Sequence, residues 1–155
     1  MKLEDMDPKL LYTKEHKDYI ECVTYVNPLK ALQIQIPGWP WGDDSLSVNE
    51  VKEYLTTHPE LKEESSSDHE VNMPGKDLWH IKRIKYFINH PGEIQKGHIK
   101  IWLHFKEYGQ TDDSNFYYLI WDGNHRLYAA AIIGIEKIPC HFKGSEKFLK
   151  ELQGK

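Results

Sequence analysis

The stretch WDGNHRLYAAAIIG, at residues 121–134, constrains the fold more than any other part of the chain. Residues 116–121 are apolar and aromatic and predict a β-strand that leads into it. The small apolar side chains that follow the polar residues predict a closely packed helix, with Gly134 as its C-terminal cap. Gly123 lets the backbone turn sharply between the two elements. A strand, a tight turn and a helix in direct succession predict a domain that combines a sheet with helices.

The segments on either side of this unit predict further elements of the same domain. Isoleucines recur at helical spacing in residues 78–89, and apolar and polar residues alternate along residues 99–105, which is the period of a half-buried strand. Residues 138–142 predict one more strand, and residues 145–152 predict a short amphipathic helix. We therefore expect an α+β fold, in which helices pack against a small mixed sheet. A chain of 155 residues is long enough for one such domain.

The N-terminal part of the chain is less strongly patterned. Residues 1–20 are polar with scattered apolar positions and predict an outer arm or a short helix, so we expect the domain proper to span residues 21–155. Residues 19–25 and 31–36 carry β-branched and aromatic side chains and predict two short strands. The Asn27-Pro28 pair between them is typical of a turn.

A capping box and a loop follow. Ser47 and Glu50 have the Ser-x-x-Glu spacing in which each side chain binds a backbone amide of the other, and this spacing predicts a helix over residues 48–58. Residues 60–76 are charged, rich in serine and poor in apolar side chains, so they predict a mobile loop within the domain.

Charge, cysteine use and hydropathy narrow the functional classes. Residues 1–76 hold 8 Lys/Arg against 15 Asp/Glu, whereas residues 77–155 hold 12 against 9, so the second half is the better candidate for binding phosphate. Cys22 and Cys140 have no metal-ligand spacing and predict reduced thiols. The chain begins without a signal peptide and contains no apolar run of about 20 residues, so we expect a cytoplasmic protein with no membrane partner.

The polar residues of the turn have the chemistry of an anion site. The unpaired amides in the first turn of a helix carry partial positive charge, and Arg126 offers a planar fork for phosphate oxygens. His125 can donate or carry a proton near neutral pH. Asp122 would repel a phosphate, or else hold magnesium, orient Arg126 or bind a sugar hydroxyl. A purely structural turn is the alternative, since Asp-Gly is a common turn sequence.

The quoted residues also resemble a known family. FYYLIWDGNHRLYAAAIIGIEKIPCHF is similar to the core of the ParB/sulfiredoxin superfamily, in which a strand, a Gly-x-x-Arg turn, an alanine-containing helix and an Ile-Pro strand follow one another. The resemblance covers residues 78–142. It aligns Gly123 and Arg126 with residues that the family shares, aligns His125 with the sulfiredoxin histidine and puts Asn124 where sulfiredoxins carry their cysteine.

The resemblance implies a single ParB/sulfiredoxin-like domain that binds a nucleotide or another phosphorylated small molecule at residues 123–126. It further implies phosphoryl transfer or phosphodiester or nucleotide hydrolysis, with ATP or another nucleotide and magnesium as cofactors. His125 and Asp122 are then the catalytic residues, and Asp122 is the candidate magnesium ligand. His80 and Arg83 lie on the helix that borders the turn in that family and would contact the ligand. A solvated basic helix face is the alternative, and the residue types favour it.

Two activities of the superfamily are not expected here. A carboxamide cannot replace the nucleophilic thiolate, so Asn124 argues against sulfiredoxin activity. Cys140 does not substitute for it, because it falls on a predicted strand and is expected to be a small core residue. About a dozen residues follow Phe142, which leaves no room for the helix-turn-helix region of partition proteins.

Two alternative functions stay open at the level of sequence. One is a nucleic-acid-binding or nuclease-like ParB domain, for which affinity would fall steeply with salt. The other is a non-catalytic interaction protein of a phage or mobile element, which would bind a protein partner. In that case the Trp39-Pro40-Trp41 loop and the acidic loop around Ser65 would matter more than the turn, and the two tryptophan rings could stack on a base or a partner. Asp43, Asp44 and Glu70 are further candidate carboxylates, because they fall in predicted loops.

Overall fold

The computed structural model describes residues 7–34, 46–65, 77–105 and 116–155. Within these ranges the chain has the expected α+β architecture, with seven helices and a four-stranded mixed sheet. The elements, in chain order, are α1 (Pro8–Glu15), β1 (Tyr19–Val26), α2 (Pro28–Leu32), α3 (Val48–Thr57), α4 (Asp77–Asn89), α5 (Pro91–Ile94), β2 (Ile99–Phe105), β3 (Phe116–Asp122), α6 (Asn124–Ile133), β4 (Ile138–Ser145) and α7 (Glu146–Leu152).

The strands lie in the order β1-β4-β2-β3. β4 runs parallel to β2 and antiparallel to β1, and β3 runs antiparallel to β2. The predicted alternation along β2 is confirmed, since Ile99, Ile101 and Leu103 are buried and the residues between them keep partial exposure. One face of the sheet therefore forms the core.

Helix α6 is the centre of the helical layer. It packs against α2, α3, α4 and α5, and four of its residues, Leu127, Tyr128, Ala129 and Ala130, are buried. The two alanines are fully buried, and their small side chains allow the neighbouring helices to approach closely. Because α6 begins directly after β3, this packing also holds the residues of the turn against α4.

One predicted strand is wrong. The structure has a helix, α2, where residues 31 and 32 were expected to begin a strand; residues 35 and 36 lie outside the described ranges. Asn27 accepts a hydrogen bond from the Lys30 amide at 3.1 Å, and Pro28 occupies the first helical position. The Asn-Pro pair is thus a helix N-terminus, because asparagine caps the amides and proline has no amide to satisfy there.

The remaining sequence predictions agree with the described residues. α1 lies within the predicted arm, and the capping box of α3 is present, with both Ser47 and Glu50 hydrogen bonds at 3.1 Å. Residues 60–65 contain neither helix nor strand. The rest of the predicted loop, residues 66–76, and the candidates Trp39, Pro40, Trp41, Asp43, Asp44 and Glu70 lie outside the described residues. No helix in the described part of the chain is long and apolar enough to cross a membrane.

Gly123 is a position where a side chain would not be tolerated. Its φ is +107°, and a Cβ there would lie 2.8 Å from Cβ of Ile99 and closer still to another atom of that side chain. We expect Gly123→Ala to lower the free energy of unfolding by about 2 to 4 kcal/mol, because it adds steric overlap to backbone strain.

The matched control is Gly134→Ala, whose φ is +84° but whose Cβ would meet no atom within 4 Å. This substitution should lower the free energy of unfolding by about 1 kcal/mol. Urea unfolding followed by circular dichroism measures both variants, and equal losses would show that contact with Ile99 does not matter.

Candidate functional site

The turn between β3 and α6 leaves the start of the helix uncapped by any side chain. Gly123 occupies the N-cap position, and its carbonyl accepts the first helical hydrogen bond from the Leu127 amide at 2.9 Å. Glycine has no side chain with which to bind the first-turn amides. These amides therefore give the ten-residue helix α6 a positive N-terminal end that can interact with an anion.

A β-bulge precedes the turn. Lys100 pairs with Asp122 and Ile101 pairs with Ile120, so Trp121 is an extra residue in β3. Bulges of this kind change the direction of the side chains that follow them. Asp122 borders the turn as a result, and its side chain is 58% exposed.

A cavity of about 160 Å³ lies beside the turn. Its lining brings together the predicted turn residues and one side of α4: Trp79, Arg83, Phe87, Asp122, Gly123, Asn124, His125 and Arg126. The predicted neighbourhood of α4 and the turn is thus present in the structure. Trp79 and Phe87 were not predicted as site residues. Their four-residue spacing from Arg83 could have identified them, because it puts all three on one helix face.

Arg83 is a buried cation beside this cavity. Its residue exposure is 7%, and one terminal nitrogen donates to the backbone carbonyl of Glu64 at 3.0 Å. The guanidinium also lies over the rings of Tyr86 and Phe87, at 5.4 and 4.9 Å from their centroids. Among the described residues, no carboxylate comes within 4.0 Å of it and its Nε has no hydrogen-bond partner. Burial lowers the pKa of Arg83 from its ordinary value, and the charges of Tyr86 and Glu64 oppose part of this shift.

The alternative of a solvated basic face is therefore wrong for two residues of α4. His80 is fully buried and Arg83 nearly so. Sequence spacing could not show this, because the face that α4 turns inward is set by its packing on α6.

His80 and His125 form a hydrogen-bonded pair. Nδ1 of His80 and Nε2 of His125 are 2.7 Å apart, and the two rings stack with an interplanar angle of 25°. Trp79 packs edge-on against both rings. One imidazole must donate the shared hydrogen and the other must accept it, which requires that the two rings are not both charged.

The electrostatics keep His125 neutral. Burial is the main cause, and the nearby His80 and Arg83 add to it, so that the pKa of His125 falls to about 3. Of the two expected properties, donating or carrying a proton near neutral pH, the low pKa leaves His125 the first, as a hydrogen-bond donor. As a neutral imidazole it remains a hydrogen-bonding group of the cavity wall.

Arg126 contributes to the structure more than the sequence indicates. Its terminal nitrogens donate to the carbonyls of Lys96 and Gly97, each at 3.2 Å, and to that of His98 at 3.5 Å. The same guanidinium contacts Asp122 at 3.5 Å. Arg126 thereby holds the segment that leads into β2. The contact with Asp122 agrees with one of the roles predicted for this carboxylate, the orientation of Arg126. Much of the hydrogen-bonding capacity of Arg126 is already used.

Two predictions for the turn remain: Asn124 as a ligand-binding residue and Asp122 as a magnesium ligand. The Asn124 amide donates to the Ile120 carbonyl at 3.4 Å, which ties the start of α6 back to β3. For a metal ion, the described residues contain no group of three or more histidine, cysteine or carboxylate side chains. Asp122 alone fits magnesium only if phosphate oxygens of a ligand complete the coordination, as they commonly do for this ion.

Cys140 has the expected role. It is fully buried in β4, and burial raises the pKa of its thiol to about 12. Such a thiol is not a nucleophile at neutral pH.

Comparisons with protein-family models, curated proteins and solved structures found no significant match to this chain. The resemblance to the ParB/sulfiredoxin superfamily thus stays a prediction from the quoted residues.

The histidine pair predicts a specific pH dependence of stability. The pKa of His125 is about 3 in the folded chain against an ordinary value of 6.5. Between these values an unfolded chain takes up a proton that the folded chain does not. The contribution of neutral His125 to the free energy of unfolding is therefore fully present above about pH 6.5 and is lost progressively as the pH falls toward 3.

We expect His125→Asn to flatten the pH dependence of the unfolding free energy in this window, measured by urea titration at each pH. The exposed His98 supplies the matched control, since His98→Asn removes a histidine without touching the pair. If both variants follow the wild-type curve, the depressed pKa of His125 is refuted.

Proposed function

We propose that the cavity between α4 and the Gly123 turn binds the phosphate group of a nucleotide or another phosphorylated small molecule. The observation that carries this proposal is Arg83, a buried cation without a carboxylate partner among the described residues. A buried charge without an ion pair is unfavourable. The carbonyl of Glu64 and the more distant charge of its side chain offset only part of this cost. A ligand anion in the adjacent cavity would supply the missing partner.

Two further features support an anion over a neutral ligand. The N-terminal end of α6 borders the same cavity and carries partial positive charge. The indole nitrogen of Trp79, like Nε of Arg83, is buried with no hydrogen-bond partner among the described residues, so both could donate to phosphate oxygens. The carboxylate of Asp122 opposes an anion, but its contact with Arg126 offsets part of that charge.

Aromatic walls favour a nucleotide within this class. Trp79 and Phe87 line the cavity together with the charged groups, and rings of this kind stack on nucleobases. The resemblance to the ParB/sulfiredoxin superfamily points in the same direction, with ATP or another nucleotide as the ligand. Asp122 would hold magnesium jointly with the ligand phosphates.

The proposed reaction is phosphoryl transfer or hydrolysis of a phosphate ester. Such reactions need mainly positioning and charge neutralisation, which Arg83 and the α6 amides would provide. The accessible carboxylate of Asp122 is the group best suited to orient an attacking water or hydroxyl. His125, being neutral at pH 7, would take part as a hydrogen-bonding group and not as an acid.

Arg83→Met tests ligand binding. Thermal unfolding is measured with inorganic phosphate, AMP, ADP and ATP, each with and without magnesium. A ligand at 100 times its Kd should stabilise the wild type by about 2.7 kcal/mol, because it binds only the folded state. The variant should lose this stabilisation. Without ligand it should be as stable as the wild type or more so, since removing an unpaired buried charge relieves desolvation.

Lys85→Met is the matched control. Lys85 lies on the same helix but donates to the carbonyls of Pro59 and Leu61 and does not line the cavity. It should keep the wild-type response to ligand. A panel without any stabilising ligand, or an equal response of Arg83→Met, would contradict the proposal. For a ligand that binds, product analysis with wild type and Asp122→Asn then distinguishes binding from catalysis.

A further inference from the structure

The sheet has a second face that faces away from the core. Its side chains come from alternate positions of all four strands, and none of them is buried: Glu21, Val23, Tyr25, Lys100, Trp102, His104, Tyr117, Leu119, Trp121, Pro139, His141 and Lys143. We call these residues the open face. Val23, Tyr25 and Trp121 are more than half exposed, at 58%, 56% and 56%. Val23 and Tyr25 lie on edge strand β1, and Trp121 lies on the opposite edge strand, β3. Large exposed side chains on one face of a sheet mark a candidate binding surface.

Four rings form a continuous row on the β2–β3 half of the open face. Trp121 stacks on Trp102, with centroids 6.0 Å apart and an interplanar angle of 11°. It also stacks on His104 at 5.7 Å, and His104 stacks on Tyr117 at 5.6 Å. Trp121 is the most exposed ring of the row, and it lies at the β-bulge of β3.

Two lysines border the same row. Nζ of Lys143 lies 4.2 Å and Nζ of Lys100 lies 5.6 Å from the ring centroid of Trp102. Glu21, on edge strand β1, contributes a carboxylate to the open face and contacts His141 at 3.0 Å and Lys143 at 4.0 Å. Asp122, opposite Lys100 in the register, contacts Arg126 at 3.5 Å. The aromatic row therefore has positive charge beside it, and the carboxylate of Glu21 lies at the far side of β4.

We propose that the open face binds single-stranded nucleic acid, with bases stacked on the aromatic row and phosphates near Lys100 and Lys143. Aromatic rings interleaved with lysines supply both interactions that an unpaired strand needs, since each base offers a π-face and each phosphate a negative charge. Unstacked bases are required, because the rings of a duplex are already covered by their neighbours.

A second copy of this chain fits the open face less well. A twofold interface would bring the same patch against itself and would bury lysines near lysines. Charged side chains, lysine above all, are depleted in the cores of protein interfaces. A polyanion neutralises the two lysines instead of desolvating them. This inference is independent of the proposed phosphate cavity, which lies on the helical side of the sheet and uses other side chains.

Fluorescence anisotropy with a labelled oligothymidylate, at low and increasing salt, tests the inference. Trp121→Ala should weaken binding by about tenfold or more, whereas Trp121→Phe should retain most of it. Lys143→Ala should weaken binding and reduce the magnitude of the slope of log K against log salt by about 0.7, the value for one phosphate contact of a single strand.

The matched controls are Leu29→Ala and Lys150→Ala, which remove an exposed apolar side chain and an exposed lysine away from the open face. Both should bind the strand like the wild type. Circular dichroism and thermal unfolding establish that each variant is folded.

Several results would overturn the inference: no binding at low salt, equal losses in the controls, duplex DNA bound as tightly as the single strand, or loss of binding in Arg83→Met but not in Trp121→Ala. The last result would locate the strand in the cavity. Sedimentation analysis tests one more contradicting result. If the wild type is a dimer and Trp121→Ala is a monomer, a second copy of the chain occupies the open face.

Discussion

The close approach of Gly123 to Ile99 is the contact on which the rest of the site depends. It joins the end of β3 to the first residue of β2 at a point where no side chain fits, and it starts α6 directly above the core face of the sheet. α6 then becomes the helix against which α2, α3, α4 and α5 pack. Arg126 reinforces the same junction through three backbone carbonyls. Fold and site thus share one junction.

Burial changes the chemistry of the basic residues around that junction. His125 shares a hydrogen bond with His80 and stays neutral, while Arg83 stays charged because an arginine cannot lose its proton under these conditions. The cavity therefore combines the positive end of a helix, one buried cation and the neutral imidazole of His125. This combination suits a phosphate group better than it suits a proton-transfer reaction carried by histidine.

The end of β3 carries different chemistry on the two sides of the sheet. Trp121 lies on the open face, and the next residue, Asp122, lines the cavity on the helical side. A β-bulge occurs at this point, where Lys100 pairs with Asp122 and Ile101 with Ile120. Neighbouring residues of one strand therefore contribute to the aromatic row and to the carboxylate of the proposed phosphate site.

Local patterns in the sequence were sufficient for most elements, since capping residues, helical periods and strand alternation act over a few positions. They failed at Ala31, where β-branched neighbours suggested a strand but Asn27 and Pro28 begin a helix. They identified the turn residues from Gly123 to Arg126, because a turn is local.

The sequence by itself thus determined the α+β class, the strand-turn-helix unit and the residue types of the candidate site. Only the tertiary structure decided that His80 and Arg83 are buried, that His125 is neutral and that Arg126 binds backbone carbonyls. Burial and hydrogen-bond partners depend on which face of α4 meets α6. Residues far apart in the chain, such as His80 and His125, set that contact, and no local pattern encodes it.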